Sequence, residues 1–291
     1  MIYVNSFWSY NFSIGIVRAK SGNQLNAPVL LAPRGMLGEG AMGLKAIKKN
    51  IFLFLSKLSG WHSNIAFHAT NEQEKKDILR QFKNAKVYIA PNLNSARAIN
   101  TPKTKNKGQL KLFYLSRIAK VKNLRYALEV LAMLPADILI EYDIYGNLED
   151  QEYWTGCKEL INRLPKNIKV SYKGEVSFSE VQQAIAPYHV LFLPTLNENF
   201  GHSIVESLFS GCPVIISDQT PWNDLEEHNA GYAITLDSKE KFVECIKELA
   251  LSSQDEMRNK SKDAITYISN KLNVQQSIEK YKHLFNESIK N

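Results

Sequence analysis

Short uninterrupted apolar runs alternate along the chain with longer stretches whose apolar positions recur every three or four residues. The first kind reads as buried strands, the second as helices laid on them. Early in the chain IYV, PVLLA, NIAFH and KVYIA predict four strands, with helices near 42–58 and 71–83. Beyond residue 107 the rhythm is cleaner. It predicts strands at 110–115, 138–145, 168–172, 190–194, 213–216 and 232–235. Helices are predicted near 122–133, 149–163, 177–186, 202–210, 239–252 and 255–269, with a last one near 274–289. Continuous apolar strands alternating with helices indicate α/β structure with parallel sheets covered on both faces. Ligands of such sheets bind at the carboxyl ends of the strands, in the loops leading into helices.

Between the two rhythmic parts lies NLNSARAINTPKTKNK, residues 92–107, which is polar, basic and proline-containing. Such composition reads as a linker. The expected boundaries are a first lobe at 1–95, a linker at 96–107, a second lobe at 108–270 and a terminal helix at 271–291 that crosses back to the first lobe.

Composition narrows the class. With 291 residues, 44% of them hydrophobic, the chain has room for two modest globular domains. No run approaches the roughly 18 apolar residues of a membrane helix. The start, MIYVNSFWSY, does not read as a secretion signal. Cys157, Cys212 and Cys245 are widely spaced and form no CxxC pair, so neither a disulfide framework nor a zinc site is expected. A reducing cytoplasm is the expected location. The net charge of +7 is uneven. Residues 1–107 carry 16 Lys and Arg against 4 Asp and Glu, whereas residues 108–291 carry 20 against 25. A basic first part can attract anionic lipid headgroups or a phosphorylated acceptor, the plainer alternative being a solvated basic face. No nucleic-acid-binding motif accompanies the charge, so nucleic acid is not an expected partner.

The densest chemical signal is PTLNENFGHSIVESLFSGCPVI, residues 194–215. A buried strand is expected to end at Pro194. A polar loop with Glu198 and Gly201 follows, then a helix from His202 that carries Glu206, stopped by Gly211 and Pro213. Amides around Gly201, His202 and Ser203 would point out of that helix's N-terminus, whose partial positive charge suits a diphosphate. Gly201 removes a side chain that would block close approach. Glu198 can accept hydrogen bonds from sugar hydroxyls and Glu206 from a ribose diol, since hydroxyls donate and charge-assisted bonds are strong. A second element is LFYLSRIAKVKNLRYAL, residues 112–128. Arg117 and Lys122 there follow a strand end, where two cations can neutralise a diphosphate and stabilise it as it leaves.

Glu198 and Glu206, seven residues between them and Phe-Gly after the first, resemble the signature of glycosyltransferase family 4. These are retaining enzymes of the GT-B fold, two Rossmann-like lobes whose parallel sheets face across a cleft. Arg117 followed five positions later by Lys122 matches the family's cation pair. Gly146 matches the glycine after the family's second strand of this lobe, and Gly174 falls in a loop that contacts the base in relatives. Trp222, in TPWNDL, and Arg34 and Gly35, in LAPRGMLGEGAM, resemble segments of some members and are cleft candidates. In FHATNEQEKKDIL, Thr70 and Glu74 read best as a helix-capping arrangement.

The resemblance implies transfer of a sugar from a UDP- or GDP-sugar to a saccharide or lipid-phosphate-linked acceptor, with retained configuration. Arg117, Lys122 and Glu198 would be catalytic, and Glu206, Gly201, His202, Ser203, Gly146 and Gly174 would bind the donor. It implies no metal and no cofactor, the nucleotide sugar being a co-substrate. Cell-surface polysaccharide or lipopolysaccharide synthesis is the implied setting, with peripheral membrane contact through the basic first lobe. Family members usually begin with a strand and a glycine-rich loop ahead of a segment like IYVNSFWSYNFSI, so the first lobe is expected to be incomplete. The second reading is therefore a non-catalytic nucleotide-sugar-binding remnant, or a subunit that needs a partner.

Overall fold

The apolar runs pair as two separate parallel sheets in the computed structural model, which describes residues 1–43, 46–92, 97–99, 101–272 and 274–289. The chain divides into one unit of Met1–Leu93 with Asn273–Asn291 and another of Asn94–Leu272.

In the first unit β1 (Ile2–Val4), β2 (Val29–Leu31), β3 (Ala66–Ala69) and β4 (Lys86–Ile89) lie side by side in chain order. A π-helical turn at Tyr10–Ile14 and α1 (Gly15–Ser21) join β1 to β2. Two helices, α2 (Glu39–Gly43) and α3 (Ala46–Leu58), precede β3, and α4 (Glu72–Gln81) precedes β4. The strands are apolar on both sides because both sides are covered. Val29 and Leu31 join Val17, Leu53 and Ile78 on one face. Leu30 and Ala66 meet Leu284 of α11 (Val274–Ile289) on the other. The helix at 10–21 was not predicted. Its stretch, YNFSIGIV, is aromatic, β-branched and glycine-containing, a poor helix former, and Ser9 starts it by accepting from the Phe12 amide.

The second unit holds β5 (Gln109–Leu115), β6 (Leu139–Tyr145), β7 (Ile168–Gly174), β8 (Val190–Leu193), β9 (Val214–Ser217) and β10 (Gly231–Ile234). Its helices are α5 (Leu124–Leu131), α6 (Gln151–Ile161), α7 (Val181–Ile185), α8 (His202–Phe209), α9 (Lys239–Leu251) and α10 (Gln254–Lys271). All pairings are parallel, and the order is β10-β9-β8-β5-β6-β7. From β5 the chain builds outward through β6 and β7, then returns to place β8 on the other side. The order thus reverses between β5 and β8, and the two loops leaving that point diverge to open a crevice. Arg117 and Lys122 follow β5, and Glu198 and Gly201 follow β8.

Part of the segment expected as a linker packs on this unit instead. Ile99 donates its amide to Phe209 O (2.8 Å), and the Lys103 ammonium reaches Ser210 O (3.1 Å) and Gly211 O (2.9 Å). Lys105 is buried and donates to Ala250 O (2.7 Å). The lysines that made this stretch look solvated cap carbonyls at helix ends, a role that composition does not reveal. The three cysteines are free; burial pushes Cys157 up to about 11 and Cys245 up to about 12, so neither is a thiolate at neutral pH.

Candidate active site

Three strand ends of the second unit are laced together by backbone-directed hydrogen bonds. After β5 the chain turns through a 3-10 segment, Lys120–Lys122, and Asn123 then adopts a left-handed conformation (φ 56°). Asparagine tolerates that region better than most residues. Its amide nitrogen donates to Pro194 O (3.0 Å), while Thr195 Oγ1 and the Leu196 amide both donate to Val121 O (3.0 and 2.8 Å). The Glu198 amide donates to Gln219 O (3.0 Å), beyond β9. Helix α5 therefore starts at Leu124, later than the sequence predicts, and Lys122 sits on a fixed turn.

That turn delivers the Lys122 ammonium to Glu198, Nζ to Oε2 2.5 Å. Their side chains are only 11% and 18% exposed, so the pair is largely shielded from solvent and stronger than a surface pair. The second Glu198 oxygen accepts the Asn199 amide (3.1 Å). Gly201, at φ 80°, caps α8, and a Cβ there would stand 2.7 Å from Ile204 Cδ1 and 3.2 Å from Glu198 Cγ. His202 and Ser203 open the helix, and the His202 ring meets Phe200 edge-on at 4.8 Å.

Arg117 is placed differently. It is half-exposed and pairs with Glu149 (Nη1 to Oε2 2.7 Å), not with the Lys122–Glu198 pair. Glu149 lies in the loop between β6 and α6 and was not singled out from the sequence; an acidic residue three positions after Gly146 was the available signal. Gly146 itself is forced, because a Cβ would lie 1.8 Å from Ser116 O and 3.2 Å from the Arg117 amide. The Gly146 amide donates to Gly174 O (2.8 Å), so the β5, β6 and β7 ends are also tied in series.

Glu206 is 5% exposed, and no hydrogen-bond partner for its carboxylate is found among the described residues. Burial alone pushes it up to about 7. Between the ordinary carboxylate range and pH 7 the folded chain thus holds a proton that the unfolded chain has released. Stability falls across that window as pH rises, and the full penalty stands above it. Glu206→Gln is expected to stabilise the unliganded protein by about 1–2 kcal/mol at pH 8 and by much less at pH 4. Chemical denaturation at both pH values checks this, and equal gains would rule out a buried ionising Glu206.

The three cleft candidates are all engaged by neighbours within their own unit. Trp222 is 3% exposed, donates Nε1 to Phe200 O (2.5 Å) and packs against the Phe200 ring. Arg34, in the first unit, spends its guanidinium on Asn5 Oδ1 (2.6 Å), Tyr3 OH (2.7 Å) and Asn92 Oδ1, binding the loops after β1 and β4 to its own. Gly35 donates its amide to Glu74 (2.6 Å), whose other oxygen accepts the Thr70 amide and hydroxyl (2.7 and 2.6 Å). Asn71, not Thr70, caps α4. Gly38, Gly40 and Gly43 have the spacing of a dinucleotide fingerprint, but Gly38 comes seven residues after β2 ends, and Gly40 and Gly43 lie within the short α2, so they form no tight strand-to-helix turn. Among the described residues no group of three or more His, Cys, Asp or Glu could hold a metal ion.

The family described as glycosyl transferases group 1 matches residues 95–267. The O-antigen chain mannosyltransferase RfbU of Salmonella typhimurium is 26% identical over 98 residues, which span 34% of this chain and 28% of that protein. Among solved structures, Anabaena Alr3699/HepE, in complex with UDP and glucose, superposes with a TM-score of 0.73 at 14% identity, covering 95% of this chain and 77% of that one. TarM of S. aureus, a mutant of which was solved with fondaparinux, α-GlcNAc-glycerol and UDP, gives a TM-score of 0.69 at 19% identity, covering 91% and 52%.

Proposed function

Because this chain belongs to the glycosyl transferases group 1 family, with two parallel sheets in the manner of the GT-B fold, we propose that it moves a sugar from a nucleotide-sugar donor to a saccharide or lipid-linked acceptor. The anomeric carbon–oxygen bond to the diphosphate breaks, and the acceptor hydroxyl oxygen forms the new bond on the same face. The hydroxyl proton leaves with the nucleoside diphosphate. The Lys122–Glu198 pair at the sheet's reversal point supports this reading most directly: the cation can meet a diphosphate while the carboxylate accepts from a sugar hydroxyl. The start of α8, opened by Gly201, turns the positive end of that helix's dipole to the same phosphates. Glu206, whose carboxylate has no partner among the described residues, is available to a ribose diol. Arg117 and Lys122 supply the positive charge that a metal would otherwise bring, so turnover should persist in a chelator. UDP and glucose in HepE, and UDP in TarM, make UDP-sugars the first donors to try; the RfbU similarity adds mannose as a sugar and an acceptor of the O-antigen type.

A thermal-shift screen of UDP- and GDP-sugars is expected to raise Tm with one of them. Arg117→Ala is expected to weaken that nucleotide roughly tenfold, the scale of one charge-assisted contact. No stabilisation by any donor would defeat the proposal. Stabilisation with no release or transfer of sugar to varied acceptors would leave a binding protein in its place.

A further inference from the structure

The segment after β9 grips the loop after β8 at both ends. Gln219 O accepts the Glu198 amide (3.0 Å), and Trp222 donates its indole Nε1 to Phe200 O (2.5 Å). Between these two bonds lie only Glu198, Asn199 and Phe200, and the next residue is Gly201, which caps α8. The carbonyl that Trp222 holds therefore belongs to the peptide unit leading into the left-handed Gly201 (φ 80°). A peptide unit is planar and stiff, so turning it moves whatever its ends carry. Here those ends lead to Glu198 on one side and to the start of α8 on the other.

The indole is itself fixed from far along the chain. Its ring meets those of Phe200 (5.9 Å) and Tyr267 (6.3 Å) edge-on, and the Lys271 ammonium stands 5.5 Å from its centre. Asp224, two residues beyond Trp222, accepts the Tyr267 hydroxyl (2.6 Å) and the Lys271 ammonium (2.6 Å). Tyr267 and Lys271 belong to the end of α10. A line of contacts thus runs from α10 through Asp224 and Trp222 to the Phe200 carbonyl. Tryptophan suits the middle of that line, because it fills the space of a large ring and also donates from its edge. Phenylalanine would keep most of the ring and lose the donor.

We propose that Trp222 is a positioning residue for the donor site: it sets the peptide before Gly201, and Asp224 holds it there through Tyr267 and Lys271. This rests on the donor site described under Proposed function. Titration calorimetry of the full chain with UDP and GDP, together with donor kinetics, tests it. Trp222→Phe is expected to weaken the nucleotide that wild type binds about tenfold. It is expected to lower kcat/KM for transfer about 10²-fold, since Glu198 shifts with the loop and small misplacements of reacting groups are costly. Tyr142→Phe removes a bond of the same kind, from a buried hydroxyl to Phe192 O (3.0 Å), in mid-sheet. Nucleotide affinity should stay within about twofold there, which a general loss of packing would not allow. Asp224→Asn should weaken the nucleotide about threefold by loosening Lys271 from the indole. Added to Trp222→Phe it should change nothing further, because Asp224 reaches the site only through the indole.

If wild type binds no nucleotide, the donor reading falls and this inference with it. If wild type binds but Trp222→Phe binds equally well, only the positioning role falls. That role is overturned equally if Tyr142→Phe weakens the nucleotide as much as Trp222→Phe does, or if the effects of Trp222→Phe and Asp224→Asn multiply. Should Trp222→Phe not fold, Asp224→Asn alone decides, and wild-type affinity in that variant overturns the proposal.

Discussion

Replacing Lys122 by alanine is expected to lower kcat by about 10²–10³-fold, the range seen when one preorganised charge facing a transition state is removed. The same substitution is expected to cost stability, because Glu198 is 18% exposed at its side chain and loses the ammonium 2.5 Å away. A partly buried carboxylate left alone carries a desolvation penalty of about 1–3 kcal/mol. The two effects can be pulled apart. Lys122→Met combined with Glu198→Gln leaves no unpaired charge and replaces the pair with side chains of similar length, so most of the lost stability should return. Turnover should not return, since no cation remains to meet the leaving diphosphate. Steady-state kinetics and denaturant titration of the single and double variants check both halves. If the double variant regained activity along with stability, Lys122 would be a structural residue and the assigned chemistry would be wrong.

How much of this was legible beforehand depends on whether a residue's role is set locally. The strands of the second unit were, because a run such as VLFL at β8 is apolar on every side and tolerates no other environment here. Gly201 was legible for a similar reason: a glycine between a polar loop and an amphipathic helix marks a turn few other residues make. The partner of Arg117 was not, since the Glu149 contact joins loops 32 residues apart. Nor was the start of α5. Leu124 onward looks helical from Lys122, and only the left-handed Asn123, held by Pro194 O, moves the boundary and frees Lys122 for Glu198. The surroundings of Trp222 and Arg34 were illegible for the same reason. Each is a large, chemically able side chain, held by neighbours far away in the sequence.

Gly146 and Gly174 both have positive φ (146° and 80°) and both end strands of the second unit, yet they should respond very differently to alanine. At Gly174 an added Cβ meets nothing within 4 Å, so the cost is the left-handed backbone alone, about 1 kcal/mol. At Gly146 the Cβ would stand 1.8 Å from Ser116 O and 2.6 Å from Ser116 C, both backbone atoms that no rotamer can move aside. The loop after β5 would have to withdraw. Its bonds to the loop after β6 would go with it, namely Ser116 N to Tyr145 O (3.0 Å) and Ile118 N to Asn147 O (2.8 Å). Losing two such bonds, on top of backbone strain, is expected to cost about 3 kcal/mol or more. The displaced loop carries Arg117 and leads into the turn that presents Lys122, so Gly146→Ala should also abolish nucleotide-induced stabilisation, while Gly174→Ala keeps it. Paired melting curves with and without UDP decide the matter. Equal behaviour of the two variants would mean that close packing of the β5 and β6 loops does not position the cations, and the Lys122–Glu198 geometry would need another cause.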